Sequence, residues 1–371
     1  MEFLLLASFG EVLSYVGYIL IAILILLVMI TVHEFGHYIT GKIFGFGIDE
    51  FAIGFGPKLF SKTKKDGEVF SLRALPIGGF CAFRGEDEES DDPTAFNNKK
   101  PWQRLIVLVS GALMNYLTAV LIIMLMFGIY GHTALVAYKL DGTGGESGSF
   151  YERDVIIKAN GKNVYLVTDL MSAIDERDAG DTVQFTVIRN GEKQKIDFVL
   201  KGDTHFSSVE DNVRLYTALG IAYDMDGEGA VVNGGLYSTG VRFGFFETIG
   251  RGFEYSFKLA GTIFKILGQL ITGALGLGSI GGTVTTVAVT ADAIKIGGFR
   301  NLLNISSLIG VNLAVFNLLP FPALDGSRAV FTGIEWVRKK PINRRVEGII
   351  HTVGLFLILI FAVFIDLQQC F

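Results

Sequence analysis

Residues 12–37 read VLSYVGYILIAILILLVMITVHEFGH. The stretch from Val12 to Val32 is almost wholly apolar, and a helix needs about 20 such residues to cross a bilayer core of roughly 30 Å. No basic residue precedes this stretch, and no small-residue cleavage signal interrupts it. We therefore expect a retained membrane span rather than a removed signal peptide.

The composition of the whole chain favours the same class. Half of the 371 residues are hydrophobic and only 19% are charged, which is too apolar for an ordinary soluble enzyme of this size. A net charge of -5 without a basic stripe argues against a nucleic-acid partner. The two cysteines, Cys81 and Cys370, lie far apart and outside any metal-binding spacing, so neither a disulfide framework nor a structural zinc cluster is indicated.

Four stretches are candidate membrane helices: residues 15–43, 103–130, 302–320 and 348–366. Residues 243–277 mix apolar side chains with charges at helical spacing, which predicts an interfacial amphipathic helix. Eight Lys and Arg residues lie between positions 58 and 100, and six more lie between 328 and 345. Short basic loops of this kind stay in the cytoplasm. Both termini and the long segment between spans two and three are then predicted to be extracytoplasmic.

Two segments between the spans predict β structure. Residues 46–85 alternate short apolar runs around a Lys-Asp-Gly turn, which indicates a β-hairpin, either dipping toward the bilayer as a sheet or lying beside it as a plain amphipathic hairpin. Residues 131–240 combine strand-like runs, Asn-Gly turn signals at 160 and 190, and helical periodicity between those turns. We predict a small inserted α+β domain there.

The predicted fold is thus a polytopic α-helical membrane protein with about four transmembrane helices, a membrane-associated β-hairpin or sheet and the inserted domain. Its predicted parts are an N-terminal membrane part (1–130), an extracytoplasmic domain (131–240), an amphipathic helix with a Gly-rich loop (241–300) and a C-terminal membrane part (301–371).

The chemical signal is the HExxH motif of His33, Glu34 and His37. On a helix, residues four apart lie on one face, so both imidazoles can bind one zinc ion while Glu34 reaches a water on that ion. The metal lowers the pKa of the water toward about 7, and the carboxylate takes its proton as it attacks an amide carbonyl. The motif predicts metal-assisted amide hydrolysis. Structural histidines inside a helix bundle are the alternative.

A catalytic zinc ion is normally bound by three protein ligands, so a third ligand is required beside the two histidines. His132, His205 and His351 are candidates by residue type, but the predicted topology places His132 and His205 on the outer side. Asp325 follows the inward-running third span and should reach the depth of the histidine pair. An Asp-Gly pair is also a common turn; beside the HExxH motif, however, Asp325 is the best candidate for the third ligand.

Together these motifs resemble the site-2 protease family, specifically the bacterial RseP-like and RasP-like intramembrane metalloproteases. The resemblance covers nearly the whole chain and is carried by HExxH at 33–37, ALPIGGF at 74–80, SGALMNYLTAV at 110–120 and NLLPFPALDG at 317–326. It implies that the inserted region is a single PDZ domain. It implies the following site residues: zinc ligands His33, His37 and Asp325, the general base Glu34, Asn317 holding the substrate backbone, and Asn115 lining the site.

The resemblance also implies what the protein does. The expected activity is cleavage of single-pass membrane proteins, such as anti-sigma factors or signal-peptide remnants, within the bilayer after another protease has trimmed them. The enzyme would lie in the cell membrane, with its site near the cytoplasmic side. The sequence GSIGGTV at 278–284 departs from the Ser-Gly-Pro-Val common in relatives, so this loop is expected to differ. A metal-binding or transport protein of the membrane and a non-catalytic PDZ scaffold stay open as other classes.

Overall fold

The computed structural model describes residues 9–86, 90–140, 148–206, 211–225, 231–273, 281–340 and 342–370. The chain divides into two compact units. The first unit comprises residues 1–125 and 250–371, and the second comprises residues 126–249. The HExxH motif belongs to the first unit, and the whole segment predicted as an inserted domain belongs to the second.

The elements of the first unit are, in chain order, α1 (Phe9–Ile43), β1 (Ile48–Thr63), β2 (Val69–Phe83) and the beginning of α2 (Pro101–Tyr130). The second unit contains β3 (His132–Ala137), β4 (Asp154–Ala159), β5 (Lys162–Asn163), α3 (Val167–Ile174), β6 (Thr182–Arg189), β7 (Glu192–Val199), α4 (Asn212–Leu219), β8 (Tyr223–Met225), β9 (Val231–Gly234) and β10 (Leu236–Val241). The rest of the first unit is formed mainly by α5 (Phe245–Ile271), α6 (Thr283–Leu318), α7 (Asp325–Arg338) and α8 (Arg344–Cys370).

Four helices among the described residues are long and apolar enough to cross a membrane, which confirms the predicted number. They are α1, α2, α6 and α8. The predicted start of the third span at 302 was wrong, because α6 begins at Thr283. Its backbone leaves the helical region at Gly298, with φ 55° and ψ -139°. Asp292 and Lys295 make the piece before this break too polar for a hydropathy-based prediction, and only the piece after it matches. Part of the predicted loop at 278–284, residues 278–280, lies outside the described residues.

The predicted hairpin is present as β1 and β2, but each strand bends and pairs twice. The two strands therefore supply four antiparallel segments of one sheet, in the order 79–83, 48–53, 69–73 and 58–63. Gly54, Gly56 and Gly78 lie at the bends with φ of 85°, 83° and 93°, a region that favours glycine. Among the described residues, no further strand pairs with the outer edge of the segment 79–83.

This sheet packs on the C-terminal end of α1. The Tyr38 ring contacts the rings of Phe51 and Phe70 at centroid distances of 5.4 and 5.6 Å. A Cβ on Gly41 would lie only 2.5 Å from the Phe83 ring, so the helix backbone touches the sheet directly there. The sheet is thereby fixed one turn after the HExxH motif.

Small residues allow α1, α2 and α6 to approach closely, as is usual between membrane helices. A Cβ on Gly36 of α1 would lie 2.5 Å from the Ser110 carbonyl oxygen of α2. A Cβ on Gly310 of α6 would lie 2.5 Å from Met29 of α1 and 2.9 Å from Ala119 of α2. The three helices therefore meet around the half of α1 that carries the motif.

An ion pair joins α2 to α7. The Arg104 guanidinium, only 1% exposed, donates to Glu335 over 2.5 Å. Removing one partner of a buried pair typically costs about 3–5 kcal/mol, because the other charge is left uncompensated. The pair holds α7, whose first residue is Asp325, in a defined place beside α2.

The second unit is built on a six-stranded antiparallel sheet with the strand order β10-β3-β4-β6-β7, to which β5 adds beside β4. Its core packs α3 and α4 with the sheet and includes the ring contacts among Phe150, Phe185 and Phe198. Both predicted Asn-Gly turns are confirmed, since Asn160 and Asn190 adopt φ of 48° and 52° at the ends of paired strands.

Candidate metal centre

The two motif histidines lie on one face of α1, as their spacing requires. The Nε2 atoms of His33 and His37 are 3.1 Å apart, and both residues are buried at 7% exposure. Their rings meet edge to face with centroids 4.7 Å apart. One turn of helix therefore points two imidazole nitrogens at a common place.

Asp325 completes this group from the other end of the chain. Its Oδ2 lies 2.9 Å from Nε2 of His33 and 3.2 Å from Nε2 of His37. Burial acts to raise the pKa of Asp325, but the adjacent imidazoles of His37 and His33 outweigh it and hold this pKa well below its usual range. The carboxylate is therefore ionised and can act as a ligand. His132 and His205, in contrast, belong to the second unit.

The donor set fits a zinc ion. Three ligand atoms, two imidazole nitrogens and one carboxylate oxygen, lie within 4.8 Å of one another. Tetrahedral zinc with bonds of about 2.0–2.1 Å places its ligand atoms about 3.3 Å apart, close to the 2.9–3.2 Å between these atoms. Nδ1 of His37 lies 2.8 Å from the Val107 carbonyl oxygen, to which it donates its proton. Its Nε2 is then left with the free electron pair that a metal needs.

Two asparagines complete the surroundings of His33. The amide nitrogens of Asn115 on α2 and Asn317 on α6 lie 3.5 and 3.4 Å from its Nδ1. If Nε2 of His33 binds a metal, Nδ1 carries the proton and needs an acceptor. A half-turn of either side-chain amide exchanges the positions of its nitrogen and oxygen. The oxygen can then accept the proton of His33 Nδ1. Both predicted asparagines thus reach the metal centre.

Glu34 lies next to both the ligand cluster and the sheet. Its carboxylate lies within electrostatic reach of both histidines and Asp325, and the backbone N–H of Cys81 donates to it. A Cβ on Gly79 would lie 3.6 Å from Cγ of Glu34. Burial, reinforced by the Glu34 charge, raises the pKa of the Cys81 thiol, so this sulfur stays protonated and is a poor nucleophile. Glu34 is thus set between the metal ligands and the sheet edge 79–83.

A cavity of about 520 Å³ opens beside Asp325. Its polar walls include Glu347 and His351 of α8 and the ion pair between Glu86 and Arg328. The cavity gives water room next to the carboxylate ligand.

Comparison with known sequences decides the family. The sequence model of peptidase family M50 matches residues 21–361, which include all three ligands and both asparagines. The chain belongs to peptidase family M50. This M50 chain is similar to proteins described as zinc metalloproteases in Clostridium perfringens (30% identical over 360 residues, 95% of this chain and 98% of the relative) and Clostridium acetobutylicum (29% over 356 residues, 95% and 96%). A third such protein, from Fusobacterium nucleatum, is 29% identical over 356 residues, 94% of this chain and 97% of the relative.

Sequence reasoning missed one residue of the M50 metal centre, Gly111 on α2. A Cβ there would lie 2.4 Å from Nε2 of His37 and 2.7 Å from Cε1 of His33. The SGALMN segment drew attention to this part of α2, but hydropathy alone does not show which glycine faces the histidines. The ligand cluster occupies space that only a glycine leaves open.

Replacing Gly111 by Ala is therefore expected to displace both imidazoles and to lower zinc retention and peptidase activity together. Gly128→Ala is the matched control on the same helix, because a Cβ at Gly128 meets nothing within 4 Å. Zinc content of the purified variants measures the effect. Equal zinc content in the Gly111 and Gly128 variants would contradict the close packing of Gly111 against the two imidazoles.

Proposed function

We propose that this M50 chain is an intramembrane zinc endopeptidase that cleaves transmembrane segments of single-pass membrane proteins, for example anti-sigma factors or signal-peptide remnants. The observation that carries the proposal is the convergence of His33, His37 and Asp325 beside Glu34 in the same unit as four apolar helices. Ionisable residues within such helices are costly to keep and mark functional sites.

The chain's own residues divide the work of hydrolysis. The ligands His33, His37 and Asp325 would hold the zinc, which lowers the pKa of water toward about 7 and polarises a carbonyl oxygen. Glu34 takes the proton from the attacking water and gives it to the departing amine nitrogen as the peptide bond breaks. Asn317, and Asn115 beside it, can orient His33 or donate to the substrate backbone. No other nucleophile is needed.

The edge segment 79–83 of the sheet supports a mode of substrate binding beside the metal centre. A helical segment cannot be cleaved as a helix, because its scissile amide is hydrogen-bonded along its own axis, and lipid offers no replacement partner. An extended substrate could add to the edge 79–83 as a further strand. This edge runs directly beside Glu34, where the Cys81 N–H approaches its carboxylate.

Cys81→Pro removes the edge N–H that donates to Glu34 and that a paired substrate strand would take over, and we expect it to lower cleavage of a transmembrane substrate strongly. Ser61→Pro is the matched control, since Ser61 lies in the opposite edge segment of the same sheet. Cleavage is measured with a single-span substrate and with a short soluble peptide. Wild-type cleavage of both substrates would rule out pairing at this edge. An equal loss for both would place the effect on Glu34 rather than on substrate unfolding.

The second unit supports a role as a filter. Its antiparallel sheet, with α3 following β5, suits the PDZ-like domain that the sequence resembles. We place this unit and both termini on the extracytoplasmic side of the cell membrane, with the metal centre near the cytoplasm, because the basic loops flank the other ends of the spans. The domain would admit only substrates whose outer part has already been removed.

The decisive experiment is cleavage of a tagged single-span substrate by the purified protein in lipid vesicles. A chelator should stop cleavage, and zinc but not magnesium should restore it, since the His/His/carboxylate set suits zinc. A long segment added to the outer end of the substrate should slow cleavage, whereas the same segment on its cytoplasmic end should not. Cleavage that survives complete metal removal would exclude the proposed activity, and equal effects of the two segments would exclude the filter.

A further inference from the structure

The turn that delivers Asp325 contains an unfavourable backbone conformation. Residues 319–324 connect α6 to α7, and Asp325 is the first residue of α7. Ala323, two positions earlier, has φ of 77°, which a residue with a Cβ rarely adopts. Such a conformation persists only where the surroundings hold it in place.

The last helix, α8, contacts this turn at two points one helical turn apart. Nδ1 of His351 accepts a hydrogen bond from the backbone N–H of Ala323 over 3.1 Å. At Gly354 the α8 backbone lies so close that a Cβ there would be 2.2 Å from Cβ of Pro322 and 2.9 Å from its carbonyl oxygen. Residues three apart on a helix share a face, so both contacts come from one face of α8.

The side of the turn that faces the cavity is open. Ala323 and Asp325 both line the cavity of about 520 Å³ described above, so protein does not pack against the turn on that side. The His351 ring is itself held edge to face by Phe331 of α7 with centroids 5.9 Å apart. α8 thus contacts both the turn and the helix that carry Asp325.

We propose that His351 and Gly354 position the metal ligand Asp325. His351 fixes the Ala323 amide and with it the left-handed turn, and Gly354 lets α8 approach Pro322 closely enough for that hydrogen bond to form. The proposal rests on the proposed function, because it takes Asp325 to be a zinc ligand. Neither residue belongs to the group of ligand atoms formed by His33, His37 and Asp325, so both are positioning residues.

The test is zinc affinity of the full-length protein, measured by competition with a chromogenic chelator. His351→Phe keeps an aromatic ring but lacks the nitrogen that accepts the hydrogen bond from Ala323. It should weaken zinc binding by about 10–100-fold, the usual effect of removing a residue that supports a metal ligand. His351→Asn keeps an acceptor oxygen near the position of Nδ1 and should restore binding to within a few-fold of wild type. Gly354→Ala should weaken it, whereas Gly348→Ala, where a Cβ meets nothing within 4 Å, should not.

A double-mutant cycle separates positioning from general destabilisation. If His351 acts through Asp325, the variant with both His351→Phe and Asp325→Ala should bind zinc no more weakly than Asp325→Ala alone. Additive losses, or wild-type affinity in His351→Phe and Gly354→Ala, would overturn the proposal. A wild-type protein that binds no zinc would instead refute the proposed function. Should His351→Phe fail to fold, the comparison of Gly354→Ala with Gly348→Ala decides.

Discussion

Glu34→Gln should lower the rate of substrate cleavage by about 10²–10⁴-fold, the usual contribution of a positioned general base. Glutamine has nearly the same shape but cannot accept the proton of the attacking water. Since Glu34 is not among the three clustered ligand residues, zinc content should stay at the wild-type level. Cleavage of a tagged single-span substrate in membranes, at equal enzyme abundance, measures the effect.

Glu192→Gln provides the control, because Glu192 is an exposed residue at the start of β7 in the second unit. It should cleave as the wild type does. A Glu34→Gln protein that binds zinc and still cleaves would contradict the catalytic role and favour a metal-binding or transport protein. If zinc is lost together with activity, Glu34 contributes to the ligand set instead.

Asp325→Ala is expected to lower zinc affinity more than the other variants proposed for this protein. The loss should exceed the roughly 10–100-fold caused by removing a residue that only supports a metal ligand. The two imidazoles alone would leave the metal two open positions, and the negative charge that balances it in the buried cluster would be gone. Zinc content after dialysis against a chelator measures the loss. Activity should fall with it.

Asp178→Asn is the matched control, since the Asp178 side chain is 84% exposed in the second unit. Undiminished zinc binding by Asp325→Ala would show that another group supplies the third ligand.

The sequence predicts those parts of this protein that depend on local periodicity. Hydropathy identifies the four spans, although in α6 it detects only the apolar part after the break at Gly298. The i, i+4 spacing brings His33 and His37 together, because both lie on a single helix. Asp325 was predictable from chain order, because the third predicted span, expected to run in the same direction as the first, ends just before it.

Other parts depend on contacts between residues far apart in sequence, which no local pattern encodes. The double pairing of β1 and β2 arises from bends at glycines whose φ values are not visible in the sequence. Gly111 and Gly354 matter because of what lies opposite them, a pair of imidazoles and a proline. His351 falls in the last span, where hydropathy treats it as an isolated polar residue rather than as a partner of Ala323.

The metal ligands are separated by 292 positions, from His33 to Asp325. At a synthesis rate of about 5–20 residues per second, the ribosome makes the third ligand roughly 15–60 s after the first. A nascent chain therefore carries the HExxH helix for most of its synthesis without a complete ligand set. The complete ligand set, and any activity that depends on the metal, can form only once Asp325 has been made and lies beside the histidines of α1.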